Sequence, residues 1–233
     1  MLTGGSGLLG AQLLNLSPDM LAPPHAELDV TDGRAVSAFL ESLEPDIVIH
    51  AAAVTDNRDV EDDPTEAIEV NVKGTANIAL ACLERRTRLV YLSTDYVYKG
   101  DSGNYSEEDE VEPFNLYAWT KLGGECSVRA VPEHLIIRTS FGAVEFAYEA
   151  AFTDKWSSKE YVDIIAPQIL EAAQSPLTGV LNIGSERRSM YEYAKSRNPG
   201  VKAARIGESA HKSPADTSLN LDRWSRYREE TRE

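Results

Sequence analysis

The stretch LTGGSGLLGAQLLNL, residues 2–16, begins as the tail of an apolar strand, breaks at a glycine cluster and continues as an amphipathic helix. Gly4, Gly7 and Gly10 follow the spacing GxxGxxG. Glycines at a strand–turn–helix junction permit a tight turn and a close approach of the backbone to a pyrophosphate. The helix amino terminus adds N–H groups and a favourable dipole. Alone, such a turn is a weak signal; its position at the first βα junction is what gives it weight. Only Met1, Leu2 and Thr3 precede the glycines. A strand commonly has about five residues, so the natural chain is expected to carry a few more at its start.

Outward from this turn, apolar runs alternate with helical patterns. DMLAPP (19–24) reads as a short strand stopped by two prolines, and GRAVSAFLESL (33–43) as a helix. DIVIHAAA (46–53) is a continuous apolar run, as expected of a parallel strand buried on both faces. AIEVNVKGTANIALACLE (67–84) reads as one long helix and RLVYLST (88–94) as another buried strand. LYAWTKLGGECSVRA (116–130) is a helix and HLIIRTS (134–140) a further strand. Strands alternating with helical crossovers predict an α/β fold, a Rossmann-like doubly wound parallel sheet. From Gly142 the alternation weakens to one helix, EYVDIIAPQILEAAQ (160–174), one strand, GVLNIG (179–184), and a polar tail. The expected division is a dinucleotide-binding domain over 1–141 and a reduced substrate-binding lobe over 142–233, intertwined with it.

Composition narrows the function. The formal net charge of the 233 residues is −15, which opposes nucleic acid or an anionic membrane surface as a partner. The acidic runs DVEDDPTE (59–66) and SEEDEVE (106–112) read as solvated loops. No apolar run reaches the ~18 residues of a membrane span, and no basic-then-apolar leader is visible. Cys82 and Cys126 form neither a disulfide framework nor a metal-ligand spacing, so no metal is expected and a cytoplasmic location fits.

The chemistry lies where RLVYLST ends. Thr94 stands at the carboxyl end of its strand, where open α/β sheets bind ligands, and can hydrogen-bond a substrate carbonyl. Tyr117 precedes Lys121 by four residues, so both share one helix face. A free tyrosine titrates near ~10 and is a poor acid or base at neutral pH. A neighbouring ammonium and an oxidised nicotinamide would lower it into a useful range. An acid near the end of the second strand often binds the adenosine ribose. Pro23, Pro24 and His25 occupy that place, and the nearest acid is Asp29 beyond it. NADP is therefore allowed but not compelled, and either NADP or NAD is expected.

The segments TGGSGLLG, ELDVTD, PDIVIHAAAVT, VNVKGTANIA, LVYLSTDYVY, YAWTKLGGE and IIRTS occur in that order over residues 2–140. Together they resemble the dTDP-4-dehydrorhamnose reductase-like branch of the extended short-chain dehydrogenase/reductases. The resemblance implies that Thr94, Tyr117 and Lys121 are catalytic. It implies that Gly4, Ser6, Gly7, Leu8, Asp29, Val30, Ala51, Ala52, Ala53 and Asn71 line the dinucleotide. Gly10, Ser93, Tyr117 and Lys121 complete that lining. Asn71 has a second reading, as a helix asparagine bonded to nearby backbone. Asp95, Tyr96, Thr139 and Phe141 are expected on the substrate side. The segment KEYVD resembles the Arg-Asp-Tyr-Val segment of sugar-nucleotide epimerases, with Lys159 in place of the pyrophosphate-binding arginine; a surface lysine is the alternative. Arg187 and Arg188 are weaker anion-binding candidates.

The function so implied is NAD(P)H-dependent reduction of a nucleotide-linked 4-keto-sugar, with a nucleotide sugar as partner and a homodimer as the allowed assembly. The rivals are an epimerase with retained NAD and a non-catalytic regulatory subunit that binds NADP and a sugar nucleotide. A 4,6-dehydratase is not expected. Dehydratases of this superfamily read Thr-Asp-Glu at this strand end, and Tyr96, without a lysine of its own, would stay protonated where they carry a base.

Overall fold

The computed structural model describes residues 1–208 and 213–231. Its centre is a five-stranded sheet of β1 (Leu2–Thr3), β2 (Ile47–His50), β3 (Arg88–Thr94), β4 (His134–Thr139) and β5 (Gly179–Asn182), in that spatial order. Every pairing is parallel. The register sets Thr94 of β3 beside Thr139 of β4, so both reach the same sheet edge.

Helices cover both faces. On one lie α1 (Leu8–Leu16) and α5 (Val162–Gln174); on the other α2 (Gly33–Leu43), α3 (Thr75–Arg85) and α4 (Leu116–Val128). β3 shows why the strands are apolar throughout. Val90 and Leu92 pack into the core under α1 and α5, while Leu89 and Tyr91 pack into the opposite core. Side chains alternate across a strand, so a parallel strand covered on both faces needs apolar residues at every position.

The segment expected as a second strand, DMLAPP, is not one. It meets β1 through a single ladder bond, Leu2 N–H to Leu21 O at 2.8 Å. Pro23 and Pro24 have no N–H with which to extend the pairing. The segment still marks where the chain reverses: α1 leads to one side of β1 and α2 returns to β2 on the other. The long helix over 67–84 is also interrupted. A short α-turn, Thr65–Ala67, passes into a π-helical stretch, Ile68–Gly74, before α3 begins.

Residues beyond Gly142 contribute to the main layers, supplying α5 and the edge strand β5. They also build three two-stranded pairings: Phe141–Gly142 with Glu160–Tyr161, Trp156–Ser157 with Arg188–Ser189, and Ala150–Phe152 with Lys202–Ala204. The helix α6 (Asp222–Glu230) lies against β5. No helix among the described residues is long and apolar enough to cross a membrane.

A buried ion pair joins α4 to the sheet. Arg138 of β4 donates through Nε to Glu125 Oε1 at 3.1 Å and through an Nη to Oε2 at 2.8 Å. Ser93 of β3 donates to the same carboxylate at 2.6 Å. Both charged side chains are almost wholly buried. Breaking such a pair from one side leaves an uncompensated charge. Arg138→Met is therefore expected to lower the unfolding free energy by about 3–5 kcal/mol, and the double variant Glu125→Leu/Arg138→Met to recover most of it. Urea unfolding of the three proteins checks this; a single variant within about 1 kcal/mol of the parent contradicts it.

Candidate active site

A cleft of about 370 Å³ opens at the carboxyl ends of the strands, between the glycine turn, the end of β3, Tyr117 and Lys121 of α4, and Thr139 to Phe141 after β4. A second hollow of about 520 Å³ shares Gly4, Gly7, Ala51 and Ala53 with it and runs on to Pro23, His25 and Asp29. The two share one rim across the glycine turn, at the carboxyl ends of the strands, which is where open α/β sheets bind ligands.

The glycine turn is a cradle in its atoms as well as its pattern. Gly4 has φ +75°, and a Cβ there would stand 2.6 Å from the Ala52 nitrogen. A Cβ on Gly10 would collide with the Gly4 carbonyl, so the first turn of α1 packs directly on the loop. No side chain caps α1, whereas Asp32 caps α2 and Asn115 caps α4. The first N–H groups of α1 therefore face the groove free of a capping side chain, as a pyrophosphate requires. Ser6, Val30 and Ala52 line the second hollow and Leu8 the first, with Ala51 and Ala53 common to both. Asp29 is the one carboxylate in the lining of the second hollow. Its Oδ1 accepts from the Thr31 N–H at 2.9 Å and the Thr31 hydroxyl at 2.8 Å, and these bonds hold it below its ordinary pKa.

Asn71 lies elsewhere. It is fully buried in the π-helical stretch, and its amide accepts from Val54 N–H at 2.8 Å and donates to Val54 O and Thr120 Oγ1, both at 2.9 Å. The side chain is spent on the Val54 backbone and the Thr120 hydroxyl and braces the loop after β2, and Asn71 is not among the residues lining either hollow.

The catalytic candidates converge. Asn115 accepts from Ala118 N–H at 2.9 Å and starts α4, which puts Tyr117 in its first turn and Lys121 one turn on. The Thr94 hydroxyl lines the same cleft as the Tyr117 phenol; it donates to Asp95 Oδ1 at 3.3 Å and accepts from Tyr96 N–H at 3.2 Å. Ser93 lines the cleft while its hydroxyl is bonded to Glu125. The expected lowering of the Tyr117 pKa is not what the protein alone provides. Burial, with Asp95 next, pushes the phenol up. Burial also lowers Lys121 to about 7, against the pull of Glu125. The Lys121 ammonium lies 4.3 Å from the centre of the Tyr91 ring. Tyr117 is thus held protonated, the state of an acid.

The far wall holds Asp95, Tyr96, Thr139, Phe141 and Lys159. Asp95 is buried and its carboxyl is raised by that burial, against the hydrogen bond from Thr217 at 2.6 Å, the charges of Lys159 and Lys155 and the Thr94 hydroxyl; Ser157 also donates to it at 3.3 Å. Lys159 is lowered by burial, opposed by Asp95. It lines the cleft, so the surface-lysine alternative does not describe it. Thr139 Oγ1 is buried without a hydrogen-bond partner among the described residues. Tyr96 does have a lysine: Lys155 Nζ donates to its hydroxyl at 2.8 Å. The expectation that Tyr96 lacks a lysine of its own is therefore corrected; burial nonetheless pushes this phenol up. Arg187 is paired with Asp216 at 2.7 Å and Arg188 with Glu160 at 2.8 Å, and neither is in the cleft lining.

Sequence reasoning missed Lys155, Ser157 and Thr217, which reach the site from distant parts of the chain. It also passed over His50, whose signal was a lone histidine closing an apolar run. His50 hydrogen-bonds Thr3 Oγ1 at 2.7 Å and Thr75 Oγ1 at 3.0 Å and stacks on Tyr91, behind Lys121. Burial, then the Lys121 charge, lowers it to about 3. An unfolded histidine titrates near ~6.5. Between these values only the unfolded chain binds the proton. The contribution is therefore complete above about pH 6.5 and is lost toward pH 3, with a slope approaching about 1.4 kcal/mol per pH unit. Unfolding free energies measured from about pH 7 to about 4.5 should fall more steeply for the parent than for His50→Asn; equal slopes contradict the assignment.

The family model described as the RmlD substrate binding domain matches residues 1–176. The chain is 32% identical over 178 residues to a dTDP-4-dehydrorhamnose reductase of Aggregatibacter actinomycetemcomitans, covering 72% of this chain and 60% of that protein. It is 37% identical over 151 residues to a dTDP-4-dehydrorhamnose reductase of Mycobacterium tuberculosis, covering 60% of this chain and 49% of that one. The chain thus spans between about half and three fifths of the length of these relatives. The crystal structure of the Bacillus anthracis dTDP-4-dehydrorhamnose reductase in complex with NADP superposes with a TM-score of 0.87 at 26% identity, over 97% of this chain and 91% of that one.

Proposed function

The chain belongs to the RmlD substrate binding domain family, and on that premise we propose that it is an NAD(P)H-dependent reductase of a nucleotide-linked 4-keto-sugar, with a dTDP-sugar as the favoured substrate. The observation that carries this reading is the meeting of Thr94, Tyr117 and Lys121 in a cleft continuous with the glycine groove. The family relatives are dTDP-4-dehydrorhamnose reductases, which supports the sugar class. NADP in the Bacillus anthracis structure supports the cofactor.

The glycine turn and the uncapped start of α1 would hold the pyrophosphate, with Asp29 and His25 flanking the adenosine end. Bound there, reduced nicotinamide supplies a hydride to the carbonyl carbon. Tyr117 gives its phenolic proton to the carbonyl oxygen, and the raised pKa keeps that proton in place until the oxygen becomes basic. Thr94 turns its hydroxyl to the same oxygen and polarises it. Lys121, near neutrality, is suited to the nicotinamide ribose and to stabilising the phenolate left on Tyr117. Lys159 would take a phosphate of the nucleotide sugar as a point charge. The small pairings beyond Gly142 form the substrate lobe. The same reading places the protein in the cytoplasm, allows a homodimer, and with a net charge of −15 gives nucleic acid no role.

Tyr117→Phe should lower turnover by about 10²–10⁴-fold while leaving the dissociation constant for NADPH nearly intact, read by cofactor fluorescence. Unchanged turnover removes Tyr117 from the mechanism. The same titration with the parent protein should show binding of both NADPH and NADH with a mild preference for NADPH, because Pro23, Pro24 and His25 offer no carboxylate against a 2′-phosphate. No binding of NADPH contradicts this.

A further inference from the structure

The cleft contains a second tyrosine–lysine pair. Tyr96, two residues beyond Thr94, lines the cleft close enough to Tyr117 to influence its ionisation. Its partner Lys155 lies 59 residues away in sequence, donates to the Tyr96 hydroxyl at 2.8 Å and sits 5.3 Å from the ring centre.

The hydrogen-bonding inventory of the two groups fixes a direction. An ammonium only donates, and a phenol has one proton. With Lys155 donating, the Tyr96 oxygen is the acceptor and its own proton must point elsewhere. Among the described residues no other hydrogen bond is made at that oxygen. Burial, then Asp95, raises the Tyr96 phenol, so the proton stays on it. The ring cannot swing freely, since it packs edge-on against Phe114 at 6.3 Å. Burial lowers the Lys155 ammonium and the charge of Asp95 opposes that; Asp95 accepts hydrogen bonds from Thr217 at 2.6 Å and Ser157 at 3.3 Å.

We propose that Lys155 is a positioning residue that fixes Tyr96 as a hydrogen-bond donor into the cleft, so that the site selects keto-sugars carrying an acceptor oxygen beside the reacting carbonyl. The selection rests on the reading of the cleft as a keto-sugar reductase site. The Lys155–Tyr96 contact does not, and the two are tested apart.

The first measurement needs no substrate. In protein labelled with [ζ-¹³C]tyrosine, the Tyr96 signal is identified by its loss in Tyr96→Phe. Lys155→Met should move that signal and Lys155→Arg should restore most of its position; an unmoved signal in Lys155→Met overturns the proposal. The second measurement is kinetic. With a nucleotide keto-sugar bearing a hydroxyl next to the carbonyl, Lys155→Met and Tyr96→Phe should each lower kcat/KM about tenfold, the double variant no further, and Lys155→Arg much less. With the analogue lacking that hydroxyl, both variants should lose markedly less than they lose on the hydroxylated sugar. An equal loss on both sugars makes Lys155 merely structural and overturns the proposal. A parent protein that reduces no nucleotide keto-sugar overturns the reductase reading, and the tyrosine signal alone then decides the role of Lys155.

Discussion

One buried carboxylate holds the site together. Glu125 follows Lys121 by one helical turn, accepts two hydrogen bonds from Arg138 and a third from Ser93. Glu125, Ser93 and Arg138 stand on the three elements that bring the candidates to the cleft: α4 carries Tyr117 and Lys121, β3 carries Thr94, and β4 carries Thr139. Desolvating a carboxylate and a guanidinium is costly, and only the two-pronged geometry with a full set of hydrogen bonds offsets it. The arrangement is therefore a constraint on register before it is a source of stability: a slipped helix or strand would strand a charge in the core. The clamp extends further, because Arg138 also donates to the Tyr98 hydroxyl at 2.8 Å, and Tyr98 reaches Asn182 of β5.

Burial also sets the chemistry. The same exclusion of water raises Tyr117 and lowers Lys121 to about 7, so the phenol waits as an acid beside an amine near neutrality. At the other wall it raises Asp95 and lowers Lys155 and Lys159, which leaves two lysines around one carboxyl in a chain whose surface is strongly acidic. A locally cationic pocket in an anionic protein suits a substrate that carries phosphate while repelling extended polyanions.

The parts of the molecule legible from sequence are those set by local pattern. Continuous apolar runs identify β2, β3 and β4, because both sheet faces are covered; the glycine spacing marks the groove; and the four-residue step from Tyr117 to Lys121 is a helical face. What escaped depends on contacts between distant residues. The segment at Met20 to Pro24 had strand-like composition, but its prolines cannot complete a ladder. The π-helical stretch around Asn71 answers to Val54 and Thr120, which no periodicity announces. Lys155 finds Tyr96, and Thr217 finds Asp95, across 59 and 122 residues. Asn71 is not among the residues lining either hollow, and its side chain bonds the Val54 backbone and the Thr120 hydroxyl.

The central claim is that Thr94, Tyr117 and Lys121, held in register by the Glu125 clamp, carry out a net reduction. The most direct measurement follows hydrogen from cofactor to product. The protein is given a dTDP-4-keto-6-deoxy sugar and NADPH deuterated on the transferred face of C4, in ordinary water, and the product is weighed by mass spectrometry. The account predicts one deuterium on the former carbonyl carbon for each NADPH consumed. A product without deuterium and with no NADPH consumed, or no product at all, would contradict it.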